Sequence, residues 1–462
     1  MKARALPRSA TVSESLPHGV RLHVETDRTI PLVDVEIVLR GGSTHDPRGR
    51  EGLARLYARL VRRGTARRVL TSGDVVPARS ADALDDAIES LGAALTIEVT
   101  PSAIRLHGSV IRRNLERFFA IAGSLLTSPA LRPKDLAFVR REAIAELVAQ
   151  LDSDRWLASR AFRHALFGAH AYARPTTGTP RSLEAIRLEE IRAFHQARVR
   201  SGSVLVALAG DVTAADARAL VERHLADLPQ GRAPEPELDD PSAPTGTHVV
   251  IIDKPDRTQT QLFVGTLSVR MGDRAFYPLL VANTVFGGTF SARLVSEVRS
   301  KRGWSYSAQS RLYADRARDA WLLYTHPSVE NARDCVALEL ELVEAFVQGG
   351  VRPREVGFAR SYLTKSHAFD RDTAAKRVEP HVEADLFGLP VAFFDGYVEH
   401  VSGVDAATAS RAVRTHFGGP SGRGLDRVVS ILGPGALLER SLASLPGISS
   451  LRVIAHSDVA AL

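Results

Sequence analysis

The spacing of apolar positions changes from element to element along this chain. Gly52 to Thr65 carries Leu53, Leu56, Leu60 and Val61 at helical spacing, with Gly64 where a helix would stop. Leu32 to Leu39 alternates apolar and polar residues, the period of a half-buried strand, and Val20 to Thr26 reads as another. Leu95 to Thr100 and Ile104 to Ser109 form a hairpin pair around Pro101-Ser-Ala. Helical spacing returns over 80–91, 112–126, 133–150, 154–167, 184–199 and 214–228. Ser203 to Gly210 is apolar without interruption, as a strand covered on both faces would be.

From Pro229 to Thr247 the periodicity disappears. Prolines at 229, 234, 236, 241 and 244 and the acidic run Glu235 to Asp240 predict an interdomain linker. After it the plan repeats. Leu131-Arg-Pro133-Lys-Asp-Leu-Ala-Phe138-Val-Arg140 matches Val351-Arg-Pro353-Arg-Glu-Val-Gly-Phe358-Ala-Arg360. Each half also ends in a helix, a strand closing at Gly210 or Gly433, and a helix. Two matches in the same order imply an internal duplication. The expected fold is α+β: two homologous sandwich domains, each an antiparallel-rich sheet packed with helices. The expected domains are 1–230 and 248–462, joined by a linker over 231–247.

Composition narrows the function classes. The chain has 462 residues, too many for one core, and its 44% hydrophobic content suits a globular protein. The net charge is +7 with a pI near 9.7. Lysine occurs only at 2, 134, 254, 301, 365 and 376, and the arginines are scattered. With no nucleic-acid-binding motif, this is a general arginine bias and nucleic acid is not an expected partner. Cys335 is the single cysteine, which rules out an intrachain disulfide and a thiolate metal cluster; it is expected in a buried helix. No apolar run is long enough to span a membrane. The start, Met1 to Ala10, lacks the apolar core of a secretory signal. The compartment expected by default is the cytoplasm, with periplasm or secretion the alternative if a signal has been removed.

Arg55, Ala58 and Arg59 are spaced i, i+3 and i+4, so they share one face of the first helix. The flanking Gly52-Leu-Ala and Gly64-Thr65 resemble the pitrilysin/insulinase family of zinc peptidases, the inverzincins, whose members carry H-x-x-E-H on this helix. The likeness covers nearly the whole chain. It includes His170-Ala-Tyr-Ala-Arg-Pro175 with Gly178-Thr, then Gly210-Asp-Val, and Phe286-Gly-Gly288-Thr-Phe-Ser-Ala-Arg293-Leu running into Gly303-Trp-Ser-Tyr306.

The resemblance implies that the two zinc-binding histidines and the general-base glutamate fall on Arg55, Arg59 and Ala58, and the third ligand on Glu146, with Glu142 the less favoured match. Arginine offers a metal no lone pair, and alanine cannot take a proton. The family also carries an Arg and a Tyr seven apart in its other half, and Arg299 and Tyr306 match both spacing and frame. There a guanidinium and a phenol would stabilise charge on the carbonyl oxygen under attack. Two-subunit members put zinc on one subunit and this pair on the other. The implied function is the non-zinc-binding subunit of a heterodimeric metalloendopeptidase, inactive alone. It would carry no cofactor itself, with zinc in the partner subunit and peptides as substrates. Extended peptide would pair with the strand containing Leu95, Thr96, Ile97, Glu98 and Val99. The alternative is a wholly non-catalytic scaffold or peptide-binding homologue.

Overall fold

The computed structural model describes residues 10–462 except Ser72, Asp74 and Arg423. Residues 1–9, on which most of the signal-peptide reading rests, lie outside it. The described chain forms two compact units, each built on a six-stranded mixed sheet.

The first unit takes the chain up to Ala145, Thr176–Glu237 and His367–Asp395. Its strands are β1 (Val12–Ser15), β2 (Arg21–Thr26), β3 (Leu32–Arg40), β6 (Ala94–Val99), β7 (Ala103–Ile111) and β8 (Val204–Gly210). A separate two-stranded ribbon, β4 (Arg68–Val69) and β5 (Val75–Val76), precedes β6. The sheet order is β1-β2-β8-β3-β7-β6, with β2 and β8 parallel and every other pair antiparallel. All of β8 is buried, which accounts for its unbroken apolar run. Ala207 and Ala209 on β8 leave room for the helix Ala374–Phe387, which sets Ala374, Val378, Val382 and Leu386 against them.

The second unit takes Glu146–Pro175, Leu238–Ser366 and Gly396–Leu462. Its strands are β9 (Thr247–Asp253), β10 (Gln261–Leu267), β11 (Ala308–Leu312), β12 (Ala320–Thr325), β13 (Arg427–Gly433) and β14 (Ile448–Ala455). They lie in the order β11-β12-β10-β13-β9-β14, antiparallel from β11 to β13 and parallel from β13 to β14. The helix Asp154–Phe167 buries Leu157, Ala158, Ala161 and Phe162 against Val250, Ile252, Phe263, Val428 and Leu432. Trp321 on β12 stacks on Phe417 at 4.1 Å between centroids, and Phe286 packs edge-on to the same indole. The antiparallel-rich α+β plan is as the sequence implies. The helices begun at Pro133 and Pro353 open the matching segments of the repeat.

Three differences from the sequence reading have physical causes. First, the compact units do not follow a linear division at the Pro-rich stretch. Asp154–Phe167, from the first half of the sequence, covers the second sheet, and Ala374–Phe387, from the second half, covers the first. An apolar stripe shows that a helix must cover a sheet, not which sheet. Second, the helix expected over 184–199 is two helices, Pro180–Ala185 and Leu188–Arg198, separated at Ile186, whose backbone is extended. Ile186 is fully buried, so its contribution to the apolar pattern survives the break. Third, β1 is too short to leave an alternating signature. Cys335 is buried in the helix Ala332–Gly349, as expected.

Candidate functional site

The helix Leu53–Val61 starts at Gly52, whose φ of 89° is in the left-handed region. Buried Asp46 caps this start, accepting from the backbone N–H of Gly52 at 2.8 Å and of Ala54 at 2.9 Å. Leu53, Leu56, Tyr57, Leu60 and Val61 are buried, whereas Arg55 and Arg59 are half-buried. Ala58 is 4% exposed and packs as a core residue. Glu146 is exposed on the helix Pro133–Gln150 and belongs to the second unit, whereas Arg55, Ala58 and Arg59 belong to the first. The side chains at 55, 58 and 59 do not fit zinc, because two are cations without a lone pair and one is a methyl group. Among the described residues, no group of three or more His, Cys, Asp or Glu is placed to hold a metal ion.

Leu95, Thr96, Ile97, Glu98 and Val99 all lie on β6, the edge of the first sheet, paired with β7 on one side. Leu95 faces the core, and Thr96 and Glu98 face outward.

Arg299 and Tyr306 are positioned by a different device. After one α-helical turn, Arg293–Val295, the chain widens into a π-helical turn, Ser296–Lys301. Such turns hold one residue more than an α-turn and often mark functional sites. Arg293 anchors the start through a two-pronged pair with Glu355, at 2.8 and 2.6 Å. Gly303, at φ 65°, reverses the chain, and the N–H of Trp304 closes the turn on the carbonyl of Val298 at 3.0 Å. Both neighbours of Tyr306 are then braced. Ser305 Oγ donates to Ser307 O at 2.6 Å and accepts from His326 N at 2.9 Å, and Ser307 N donates to His326 Nε2 at 3.2 Å.

The result is a fixed backbone presenting an exposed side chain. Tyr306 is 78% exposed. The Arg299 guanidinium carbon sits 4.4 Å from the centre of the Tyr306 ring and 4.8 Å from that of Phe290, itself 69% exposed. Stacking uses the flat face of the guanidinium and leaves its N–H edge available. Among the described residues, neither the guanidinium nor the phenol makes a hydrogen bond or ion pair with another side chain.

Both groups line a cavity of about 650 Å³ that runs along β11, the edge strand of the second sheet. The turn Thr284–Gly288 forms one wall of it. A Cβ on Gly287 would stand 2.6 Å from the N and Oγ of Ser310, so only glycine allows this turn against the strand. Asn283 Oδ1 accepts from Ser310 Oγ at 2.7 Å and from Trp321 Nε1 at 2.9 Å, tying this wall to the sheet. The sequence pointed to Arg299 and Tyr306 but not to Phe290, Asn283 or Arg311, which line the same cavity. Their one signal was proximity to the Gly-Gly and Gly-Trp-Ser-Tyr segments.

Residues 185–363 match the family described as the peptidase M16 inactive domain. The chain is an M16 peptidase family homologue. An uncharacterized zinc protease of Mycobacterium tuberculosis is 25% identical over 363 residues, spanning 78% of this chain and 79% of that protein. The non-peptidase homolog YmxG of Helicobacter pylori is 20% identical over 393 residues, spanning 85% and 88%. Among solved structures, a peptidase M16 inactive domain from Pseudomonas fluorescens superposes with a TM-score of 0.82 at 22% identity, covering 92% of this chain and 98% of that one. The first half of the periplasmic protease PqqL from Escherichia coli gives 0.73 at 15% identity, covering 95% of each. These superpositions establish the α+β fold of the M16 homologues. Among the described residues, no helix is long and apolar enough to cross a membrane.

Proposed function

We propose that this M16 homologue is the zinc-lacking subunit of a two-subunit metalloendopeptidase. It holds extended peptide along β11, the edge of the second sheet, and lends Arg299 and Tyr306 to a zinc centre carried by a homologous partner. The observation that carries this reading is the pair itself. A guanidinium edge and a phenol with no side-chain acceptor among the described residues share one cavity at an exposed strand edge. Two such donors suit the oxygen of a peptide carbonyl, on which charge builds as a metal-bound water attacks. The first helix, with Arg55, Ala58 and Arg59, has no groups to supply that water, so the metal must come from elsewhere.

The test is reconstitution. The chain alone is expected to leave a quenched fluorescent peptide intact, and addition of a zinc-bearing M16 subunit from the same source should produce cleavage above that of the zinc subunit alone. Stoichiometric zinc and cleavage by the isolated chain would refute the reading. A second reading, a peptide-binding homologue with no part in catalysis, is favoured by the relative named a non-peptidase homolog. Under that reading the partner gains nothing from this chain, while peptide binding persists.

A further inference from the structure

The cavity beside β11 has a one-sided charge. Among the described residues, its lining includes Arg299 and Arg311 and not one Asp or Glu. The nearby Glu297 is already paired with Lys301 and Arg302. Arg311 and Gln309 lie on the outward face of β11, alternating with inward Ala308 and Ser310. Among the described residues, the guanidinium of Arg311 makes only a long contact with Gln309 Oε1, at 3.5 Å. Among the described residues, no carboxylate lies within ion-pair distance of it. An edge strand offers backbone N–H and C=O groups to an added strand, and at about 3.3 Å per residue Arg311 stands roughly 17 Å along the edge from Tyr306.

We infer that this edge selects acidic peptides, with Arg311 reading a carboxylate about four to six residues from the bond presented to Arg299 and Tyr306. The inference rests on the peptide-binding reading above and adds a substrate class to it. Main-chain pairing to β11 would hold many sequences equally, whereas a guanidinium without an internal counter-charge distinguishes among them. The uncompensated charge is what commits the groove to an acidic occupant rather than a neutral or basic one. A charged residue on an edge strand can instead serve only to repel edge-to-edge association of like chains. The experiment separates the two roles.

The full-length chain is titrated, by fluorescence anisotropy at low and high salt, with extended peptides of about nine residues. All positions are randomised except one, fixed in turn as Glu, Gln or Lys. Fixed Glu should bind about fivefold more tightly than fixed Gln over a window of one or two positions, the size of one exposed ion pair. The preference should shrink at high salt. Arg311→Glu should invert the order and favour fixed Lys at the same positions, and Arg311→Lys should keep the acidic preference. Circular dichroism checks that each variant is folded. Binding without any Glu preference, or a Glu preference that survives Arg311→Glu, overturns the acidic selection and leaves the peptide-binding reading standing. Failure of every pool to bind overturns both. If Arg311→Glu changes only self-association, measured by sedimentation, the residue guards the edge and the inference fails.

Discussion

The duplication places the same device in both units: a helix, a left-handed glycine, then an edge strand. In the first unit the helix Ala81–Glu89 is followed by Gly92, φ 62°, and the N–H of Ala93 closes on the carbonyl of Ile88. In the second, Gly303 has φ 65°, and the N–H of Trp304 closes on the carbonyl of Val298. Ile88 and Val298 are both buried and serve the same end. Three residues separate Ile88 from its glycine and four separate Val298 from its own, the extra one being accommodated by the π-turn that contains Arg299. Third after the glycine stands Leu95, 8% exposed, in one unit, and Tyr306, 78% exposed, in the other. One backbone solution thus closes a core in the first copy and displays an Arg/Tyr pair in the second. A single inserted residue and one outward-facing side chain suffice for the change.

The comparison is sharpest in catalysis. With a zinc-bearing partner supplied, Tyr306→Phe should leave assembly intact and lower turnover about one hundred- to one thousand-fold, the scale of losing one oxyanion donor. Arg299→Ala should lower turnover as well and weaken substrate binding. Steady-state cleavage of a quenched peptide by the reconstituted pairs reads both effects. Unchanged rates for both variants would leave the second site as inert as the first and favour the non-catalytic reading.

Stability should show the opposite ranking. Ile88→Ala removes a buried side chain and should cost about 2–4 kcal/mol in urea unfolding. Arg299→Ala loses contacts over two exposed rings, worth about 1 kcal/mol together. An Arg299→Ala loss as large as that of Ile88→Ala would mean that the pair serves the core after all.

Much of the fold, though not this contrast, was legible in the sequence. The apolar periods located most helices and strands, the 154–167 helix within its observed bounds, whereas Arg299 and Tyr306 were singled out by the family resemblance, through its frame and spacing. Their placement differs from that of Ile88 and Leu95 because of the π-turn, and a wider turn leaves no mark on an apolar pattern. Nor could periodicity assign Asp154–Phe167 and Ala374–Phe387 to the sheets they cover, since that depends on which exposed strand face each meets. Small residues such as Ala207 and Ala209 admit a helix but do not name it. Phe290 and Arg311 acquire meaning only once β11 is known to be an edge.

The units should also separate by pH. In the first, burial pulls His195 down to about 4, with Tyr57 Oη 3.0 Å from its Nδ1. A depressed histidine stabilises fully above its unfolded value of 6.5, and this is lost as pH falls towards 4, up to about 3 kcal/mol. In the second, burial raises Glu339 to about 7, although Thr325 Oγ1 donates to its Oε1 at 2.7 Å. A raised carboxylate is most favourable below its unfolded value of 4.5, and that advantage is lost as pH climbs to 7, again up to about 3 kcal/mol. Between these limits acidification should weaken the first unit and strengthen the second. Hydrogen exchange resolved by peptide would show the opposed trends, and Glu339→Gln should flatten the second. Parallel trends in both units would contradict this assignment.

The smallest effect tests the shared turn itself. A Cβ on Gly92 or on Gly303 would meet nothing within 4 Å, so Gly→Ala at either site adds backbone strain without a clash. Left-handed alanine costs about 1–2 kcal/mol, offset in part by the stiffer unfolded chain, so each variant should lose about 1 kcal/mol. Equal losses in urea melts would show that the two copies use glycine for the same reason. Function should then divide them. At Gly92 the strain is borne by a turn that closes on buried Ile88, and peptide affinity should be unaffected. At Gly303 any relaxation of φ moves Tyr306, three residues on, relative to the π-turn holding Arg299. Gly303→Ala should therefore weaken peptide binding about two- to fivefold for the same small loss of stability, a difference of under 1 kcal/mol. Equal peptide affinity in both variants would mean that the turn only ends a helix and that the pair is positioned by the bracing of Ser305 and His326 alone.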